Sequence, residues 1–423
     1  MLNMGFNGAK KPKRATRGGI IAALDVGSTK VCCLIARVED AGAVRILGIG
    51  HQIATGVRAG AIIDMEAAET SIGAAVHAAE QMANETIRDV IVNVSSPISH
   101  GFNAEVPVSG QEVTESDVRR ALAHARSLQV GPDQALVHAI PVGFALDGSR
   151  GIRDPKGMYG ERLGVQAHVI TSPAGAVRNL QTCVARCHLD IEGLVASPYA
   201  SGLACLVDDE MEMGSACIDM GGGTTTISVF SEGTLVWSDC IRLGGNHVTN
   251  DIARGLTTPV VHAERMKTLH GSAITSPADE REMIDVPQVG EEERLGANNL
   301  PKSYLVRIIQ PRLEEIFEHV RSRLEHSGYA KLVGRRVVLT GGASQLPGMR
   351  ELAQLILDKQ VRIGRPTRIT GLNEAQGGPS YSTAAGLLLH AVRNPAELPV
   401  AGHEAGAGTG FFGRVGLWLR ENL

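Results

Sequence analysis

Two stretches of the chain share one pattern of apolar and polar positions. In each, an apolar run as long as a β-strand ends at an aspartate, a short glycine-containing turn follows, and a second apolar run leads away; the aspartates are Asp25 and Asp219. Apolar runs on either side of a tight turn predict a β-hairpin. Because the pattern recurs half a chain later, it predicts a duplicated α/β domain whose two halves face each other across a cleft.

The residues of the two turns suit the binding of phosphate. Consecutive backbone N–H groups in a turn of this kind bind an anion, and a carboxylate beside them can hold the Mg²⁺ that accompanies a nucleotide. A glycine-rich turn by itself is equally typical of an ordinary tight hairpin, so the paired occurrence carries the prediction. The turn residues are Gly27, Ser28, Thr29 and Lys30 in the first hairpin, and Gly221, Gly222, Gly223 and Thr224 in the second.

A third glycine-rich turn lies at residues 341–349, after an apolar run and before a predicted helix at 350–357. Glycine has no Cβ, so Gly341 and Gly342 would allow the backbone to approach a nucleoside closely. The three turns, in this order, resemble the nucleotide site of the superfamily that contains actin, the heat-shock chaperones and the sugar kinases. The resemblance extends over residues 20–392.

The resemblance implies an α/β, actin-like (ribonuclease H-like) fold of two domains that binds ATP and Mg²⁺. It implies that Asp25 and Asp219, as metal-binding and catalytic residues, hold the magnesium ion through water. It also implies that the two hairpin turns line the phosphates from opposite sides and that Gly341 and Gly342 cradle adenosine. Glu264 and Lys267 resemble the Glu-x-x-Lys pair that reaches ribose in this superfamily. Spaced i, i+3 on a helix, they are also compatible with a simple surface ion pair.

Residues 89–171 are predicted to form a small module inserted in the first domain. A buried strand at 89–95 and extended stretches at 135–146 and 161–171 accompany one amphipathic helix at 115–128. Thr114 and Asp117 form a capping-box pattern at the start of that helix. One helix on a small sheet makes a compact α+β subdomain.

The remaining segments are assigned to the two domains by their patterns. Apolar periodicity predicts helices at 65–83 and 305–327, the second with one apolar face. We assign residues 20–88, 172–195 and 380–393 to the first domain, 196–248 and 305–379 to the second, and 249–304 to a helical subdomain of the second.

Composition and charge narrow the possible functions. The chain has 423 residues, 43% of them hydrophobic, and a net charge of −4, which predicts a soluble globular protein of two to four domains. Aromatic residues make up 3%, and basic residues are not interleaved with them, so we expect no binding to nucleic acid. The seven cysteines include no Cys-x-x-Cys pair, and we expect buried, reduced thiols.

Both ends of the chain differ from the rest. Residues 1–19 are basic and lack the apolar core of a signal peptide, so we expect a disordered tail and a cytoplasmic protein. Residues 394–410 are rich in Pro, Gly and Ala, as is typical of a flexible linker. Residues 411–423 predict an amphipathic helix that is too short to cross a bilayer and lies in its interface. Its apolar face comprises Phe411, Phe412, Val415, Trp418, Leu419 and Leu423.

An actin-like nucleotide site, an inserted subdomain, a linker and a terminal amphipathic helix together resemble the FtsA family of bacterial cell-division proteins. The resemblance implies a peripheral protein on the cytoplasmic face of the membrane at the division site. It implies self-association into actin-like polymers, binding of anionic lipid and of the C-terminal peptide of the tubulin-like protein FtsZ, and recruitment of other divisome proteins through the insert. Hydrolysis of ATP would be slow at most.

Two alternatives share the ATPase core. A small-molecule kinase would need a substrate hydroxyl and a positioned base in the cleft, and has no use for a membrane helix. An actin-like platform protein of pilus assembly shares the core and a similar small subdomain, but would not be expected to end in a tethered helix.

Overall fold

A computed structural model of the chain describes residues 19–39, 42–126, 131–290, 298–373 and 376–393. The predicted linker at 394–410 and the predicted amphipathic helix at 411–423 lie outside these residues, as does the basic tail up to residue 18. Within the described residues, two domains, each built on one mixed sheet, enclose a cleft, and a smaller unit is inserted in the first domain.

The first domain begins with the predicted hairpin. Its strands pair antiparallel with Asp25 opposite Cys32, and helix α1 has the predicted bounds, because Asp64 caps its first turn by accepting from the amide of Ala67 at 3.1 Å. The elements are β1 (Ile20–Val26), β2 (Lys30–Val38), β3 (Val44–Ile53), β4 (Val57–Arg58), β5 (Ala61–Ile62), α1 (Met65–Ala83) and β6 (Asp89–Val94).

The inserted subdomain is a four-stranded antiparallel sheet covered by one helix, with a hydrophobic core of its own. The predicted helix cap is present, since Asp117 accepts hydrogen bonds from the amide and the hydroxyl of Thr114. The elements are β7 (Ile98–Pro107), α2 (Glu115–Arg126), β8 (Gln134–Leu146), β9 (Ser149–Ile152) and β10 (Arg162–Pro173), in the sheet order β7-β10-β8-β9.

The chain then completes the first sheet and builds the second. Helix α4 is buried along its whole length between the two sheets. The second predicted hairpin is present as β12 and β13, which pair antiparallel with Asp219 opposite Thr226. The elements are α3 (Ala174–Arg186), β11 (Asp190–Ala196), α4 (Ser197–Cys205), α5 (Asp208–Met213), β12 (Ser215–Met220), β13 (Thr225–Ser231) and β14 (Thr234–Ile241).

The last part of the described chain contains the helical subdomain and returns to the first domain. Helix α10 crosses α4 so closely that a Cβ on Gly386 would lie 1.8 Å from the carbonyl oxygen of Ala200. The elements are α6 (Gly245–Gly255), α7 (Val260–His270), β15 (Met283–Val286), β16 (Asn298–Pro301), α8 (Lys302–His326), β17 (Arg336–Thr340), α9 (Met349–Leu357), β18 (Gln360–Ile363), β19 (Ile369–Thr370) and α10 (Ser382–Arg393).

Five strands of the first sheet have the same topology as the five strands of the second, as a duplicated domain requires, and β19 is an additional edge strand of the first. The first has the order β11-β6-β1-β2-β3-β19 and the second β14-β13-β12-β17-β18. In each, three strands form an antiparallel meander, and the first of them pairs in parallel with a later strand, β6 in one sheet and β17 in the other.

Two predicted boundaries differ from the structure. Strand β6, which we assigned to the insert, pairs in parallel with β1 and β11 of the first sheet, so the insert begins after residue 94. Strand β19, which we assigned to the second domain, pairs with β3 of the first. An apolar run identifies a buried strand, but it does not specify which sheet the strand joins.

The insert also contacts the second domain. Ser99 donates a hydrogen bond to the backbone carbonyl of Ser238 on β14, an edge strand of the second sheet, and the hydroxyl of Ser238 lies 3.2 Å from Nε2 of His168. Burial lowers the pKa of His168 to about 3, so this contact is made by a neutral imidazole. Farther along, Arg153 pairs with Glu232 at 2.8 Å.

The apolar face of α8 provides a test of the second domain's core. Phe317 is fully buried there, so Phe317→Ala should lower the free energy of unfolding by roughly 3–5 kcal/mol through lost burial and a cavity. Glu318→Ala, one position away on the exposed side, should change it little. Denaturant unfolding followed by circular dichroism measures both, and equal values would contradict this assignment of the core.

Candidate functional site

A cavity of about 640 Å³ lies between the two domains and collects the residues singled out from the sequence. All fourteen residues predicted to bind the nucleotide and its metal line it, although they come from four separate parts of the chain. They are Asp25, Gly27, Ser28, Thr29, Lys30, Asp219, Gly221, Gly222, Gly223, Thr224, Glu264, Lys267, Gly341 and Gly342.

The two hairpin turns touch each other across the cleft. A Cβ on Gly222 would lie 1.8 Å from Oγ1 of Thr29, and one on Gly223 would lie 2.5 Å from Oγ of Ser28. Neither glycine has a positive φ, so glycine is required here for close approach and not for a left-handed backbone. The contact brings the two turns to the same point in the cavity.

The second turn rests on the start of α6. The amide of Gly245 donates to the carbonyl of Gly221 at 3.0 Å, and the amide of Asn246 donates to that of Gly222 at 2.8 Å. The amides of Gly222 and Gly223 have no hydrogen-bond partner among the described residues. Because the turn's carbonyls face α6, these two amides remain for an anion in the cavity.

The carboxylates of Asp25 and Asp219, which line the cavity, are partly shielded from solvent. Burial raises the pKa of Asp25 to about 7; Lys30 opposes this shift and the nearby Asp219 adds to it. Burial also raises the pKa of Asp219, which is 9% exposed, against the effect of hydrogen bonds from Ser201 and Thr383. Two facing carboxylates whose charged forms are disfavoured are suited to a divalent cation.

A neutral polar network that we did not predict lies at the end of β1, where Asn93 bonds the residue that follows Asp25. Asn93 accepts from the amide of Val26 at 2.7 Å and donates to the hydroxyls of Ser95 at 3.0 Å and Ser197 at 3.2 Å. These three side chains line the cavity. The signal in the sequence was a single asparagine inside the apolar run of β6.

Lys30 is fixed by the chain segment that precedes α10. Its Nζ donates to the carbonyl of Ser380 at 2.9 Å and lies 3.4 Å from the centre of the Tyr381 ring. Burial lowers the pKa of Lys30, while Cys32 and Asp25 oppose the shift. No local motif indicated Ser380 or Tyr381, because Ser380 is 350 residues away along the chain and Tyr381 is its neighbour.

Glu264 and Lys267 pair at 2.6 Å on α7, but they are not merely a surface ion pair. The side chain of Lys267 is only 15% exposed, and its Nζ also donates to Thr249 at 2.8 Å and to the carbonyl of Gly245 at 3.2 Å. The pair therefore forms part of the cavity wall beside the start of α6.

In the third turn, the structure explains why one of the two positions is occupied by glycine. Gly341 has a φ of +89°, and a Cβ there would lie 2.3 Å from Oδ1 of Asp219. Gly342 has space around it, since a Cβ at that position would have the Cβ of Ser380 as its nearest neighbour, at 3.8 Å. Gly341 thus allows Asp219 its position, and Gly342 leaves room in the cavity.

Other candidate sites are not supported within the described ranges. No cluster of three His, Cys, Asp or Glu side chains that could hold a metal ion occurs among the described residues. The cysteines there are unpaired thiols, most of them buried, as predicted. None of the helices in the described part of the chain is long and apolar enough to cross a membrane.

Solved structures with this fold include actin-like proteins. The chain aligns with the PilM–PilN type IV pilus biogenesis complex with a TM-score of 0.62 and 17% identity, covering 88% of this chain and 98% of that one. It aligns with MreB5 of Spiroplasma citri bound to ADP with a TM-score of 0.51 and 15% identity, covering 89% and 98%. At these identities the likeness shows the fold alone, and it confirms the predicted actin-like architecture.

Sequence comparisons are more specific. Residues 216–386 match the family model described as cell division protein FtsA, and residues 95–171 match that of the SHS2 domain inserted in FtsA. The cell division protein FtsA of Rhizobium meliloti is 47% identical, with 98% of this chain and 97% of that protein aligned. The chain therefore belongs to the FtsA family of actin-like cell division proteins.

Proposed function

We propose that the chain binds ATP with Mg²⁺ in the cavity between its two domains. The observation that carries this proposal is the meeting of both hairpin turns, and of one aspartate from each domain, in a single space of about 640 Å³. A nucleotide there would contact both domains at once. If the nucleotide binds this closed arrangement of the domains more tightly than an open one, its binding shifts the protein toward the closed arrangement.

Each group of residues has a role in this proposal. Asp25 and Asp219 hold a hydrated magnesium ion, which neutralises their mutual repulsion. The unbonded amides of Gly222 and Gly223 donate to phosphate oxygens, and Lys30 adds a fixed positive charge opposite them. Gly342 faces the nucleoside, and Glu264 with Lys267 faces the ribose.

We propose that hydrolysis is slow and regulatory. Next to Asp25, the floor of the cavity presents the neutral side chains of Asn93, Ser95 and Ser197, which orient groups but do not remove a proton at neutral pH. Bound ATP would then persist long enough to maintain a state competent for polymerisation.

Membership of the FtsA family supports the wider role. We propose that the protein polymerises at the cytoplasmic face of the membrane, binds the C-terminal peptide of FtsZ to anchor its filaments, and recruits other divisome proteins through the inserted subdomain. The segment 411–423 would supply the membrane anchor by burying its apolar face in anionic lipid. The kinase alternative gains no support, because the relatives that align over nearly the whole chain are cell division proteins.

Removing the Asp219 carboxylate tests the magnesium site. Asp219→Ala should weaken binding of ATP in the presence of Mg²⁺ by about 10- to 100-fold, since the ion loses one of its two anchoring carboxylates. Calorimetry measures the affinity, and sedimentation of polymers should show a parallel loss. Asp89→Ala, an exposed carboxylate on β6, is the matched control. Unchanged ATP affinity in Asp219→Ala would refute the assignment.

The raised pKa of Asp25 predicts a pH dependence of stability. The folded state holds a proton on Asp25 up to about pH 7, whereas the unfolded chain releases it near 3.8, so the nucleotide-free protein loses stability as pH rises between these values. Asp25→Asn removes that loss. The variant should therefore exceed wild type at pH 8 by up to roughly 4 kcal/mol, at about 1.4 kcal/mol per pKa unit, and match it near pH 4.

Thermal unfolding at pH 4, 6 and 8 without nucleotide measures the difference between Asp25→Asn and wild type. Asp89→Asn is again the control, because its carboxylate is exposed. A difference that stays constant across this range would contradict a protonated Asp25 in the empty cavity.

The membrane anchor is tested by a matched pair of charge substitutions. Trp418→Glu places a charge on the apolar face of the segment, where burying an aromatic ring is worth roughly 2 kcal/mol, and should abolish co-sedimentation with anionic liposomes in the presence of ATP. Leu417→Glu makes the same change on the polar side and should retain binding. A chain ending at Gly410 should stay in the supernatant; its retention on liposomes would place the anchor elsewhere.

A further inference from the structure

One buried hydroxyl in the cavity has no protein partner. Three buried side-chain oxygens lack a hydrogen bond among the described residues, on Gln134, Thr226 and Ser303. Of these three residues, Thr226 lines the cavity between the domains. Thr226 is 3% exposed, so its hydroxyl is buried. Buried polar groups in folded proteins are nearly always satisfied, which makes this one informative.

Thr226 stands beside Asp219. The two residues are directly opposite each other on β12 and β13, and directly opposite residues of an antiparallel pair project from the same face of the sheet. They make no hydrogen bond to each other. The hydrogen bonds that Asp219 receives, from Ser201 and from Thr383, both end on its Oδ2. Its Oδ1 receives no hydrogen bond from the described residues and lies beside Gly341, which also lines the cavity.

Neighbouring hydroxyls on the same strand are used differently. Thr225 donates to the carbonyl of Leu243 at 2.9 Å, and Ser228 donates to the carbonyl of Cys217 at 3.4 Å. These bonds hold the hairpin and the loop that leads to α6. Thr226 lies between these two residues on the strand, but its hydroxyl makes no such hydrogen bond.

We propose that Thr226 is a positioning residue that accepts a hydrogen bond from a water molecule in the coordination shell of the magnesium ion. The inference rests on the proposed binding of Mg²⁺ with ATP. A hydrated magnesium ion keeps several waters, each of which donates its hydrogens outward and needs acceptors. Asp219 provides a charged acceptor on this face, and Thr226 provides a neutral one beside it.

The neutrality of the second acceptor has a physical reason. Burial raises the pKa of Asp25, and the nearby Asp219 adds to that shift. A third carboxylate would add to that repulsion, whereas a hydroxyl accepts from the bound water without further charge. The hydroxyl has no protein partner, and the hydrated ion would give it one, so it would favour the loaded state over the empty one.

This inference predicts opposite effects on the empty and the loaded protein. Thr226→Val keeps the shape of the side chain and removes the hydroxyl. In the absence of nucleotide, it should leave the melting temperature unchanged or raise it, because an unpaired buried group is lost. The affinity for ATP with a chelator present should be unchanged. The affinity with Mg²⁺ should fall about three- to tenfold, as expected for the loss of one hydrogen bond.

Calorimetric titration of ATP into the full chain, with Mg²⁺ and with a chelator, measures the gain in affinity due to the metal. Thr226→Val should lose part of that gain, and Thr226→Ser, which keeps the hydroxyl, should show most of it. Ser303→Ala is the matched control, because it removes the other unpaired hydroxyl at a site away from the cavity, and it should leave the gain unchanged. Thr226→Ala gives the same comparison should the valine variant not fold.

The outcomes separate the inference from the proposal beneath it. If wild type shows no gain in ATP affinity with Mg²⁺, the proposed magnesium site is wrong. If wild type shows the gain and Thr226→Val keeps it in full, Thr226 does not contact the ion's water. A melting temperature that falls in the nucleotide-free Thr226→Val protein would also overturn the inference, since the hydroxyl would then be satisfied without the ion.

Discussion

The contact between the two hairpin turns determines how the rest of the cavity is arranged. Gly222 and Gly223 touch Thr29 and Ser28, and no larger residue fits at either glycine without displacing the opposite turn. Each turn is fixed in its own domain, the first by β1 and β2 and the second by α6. The distance between the domains at this point is therefore set by the absence of two Cβ atoms. Residues from both domains consequently line one cavity, as the proposed binding of a nucleotide requires.

Charge imposes the second constraint on the cavity. The two aspartates face each other in a space that is partly shielded from solvent. Burial raises the pKa of Asp25, and Lys30 opposes this shift. Lys30 is itself held by a backbone carbonyl and an aromatic ring. The polar network at the end of β1 consists of hydroxyls and an amide. Burial consequently raises the pKa of both carboxyl groups, and the proposed divalent cation would oppose that shift. Nucleotide and metal would stabilise the closed protein together rather than separately.

Local patterns in the sequence predicted local structure well. The hairpins and α1 follow from apolar runs, turn glycines and an aspartate cap, all of which act within a few residues. The resemblance to a known superfamily then located the cavity, because its three turns keep their order. Asn93 and Tyr381 were not predicted, since their positions depend on pairing between distant segments. The same limitation explains why β6 was placed in the insert instead of in the first sheet.

The contact between the insert and strand β14 of the second domain has a consequence for the surface of the protein. Strand β14 ends one side of the second sheet, and Ser99 bonds one of its backbone carbonyls while His168 packs beside it. An edge strand left bare is a template for adventitious strand pairing between molecules. The insert thus covers part of the edge strand β14. A variant without the insert would expose this edge, and non-specific aggregation of that variant should not be mistaken for ordered polymerisation.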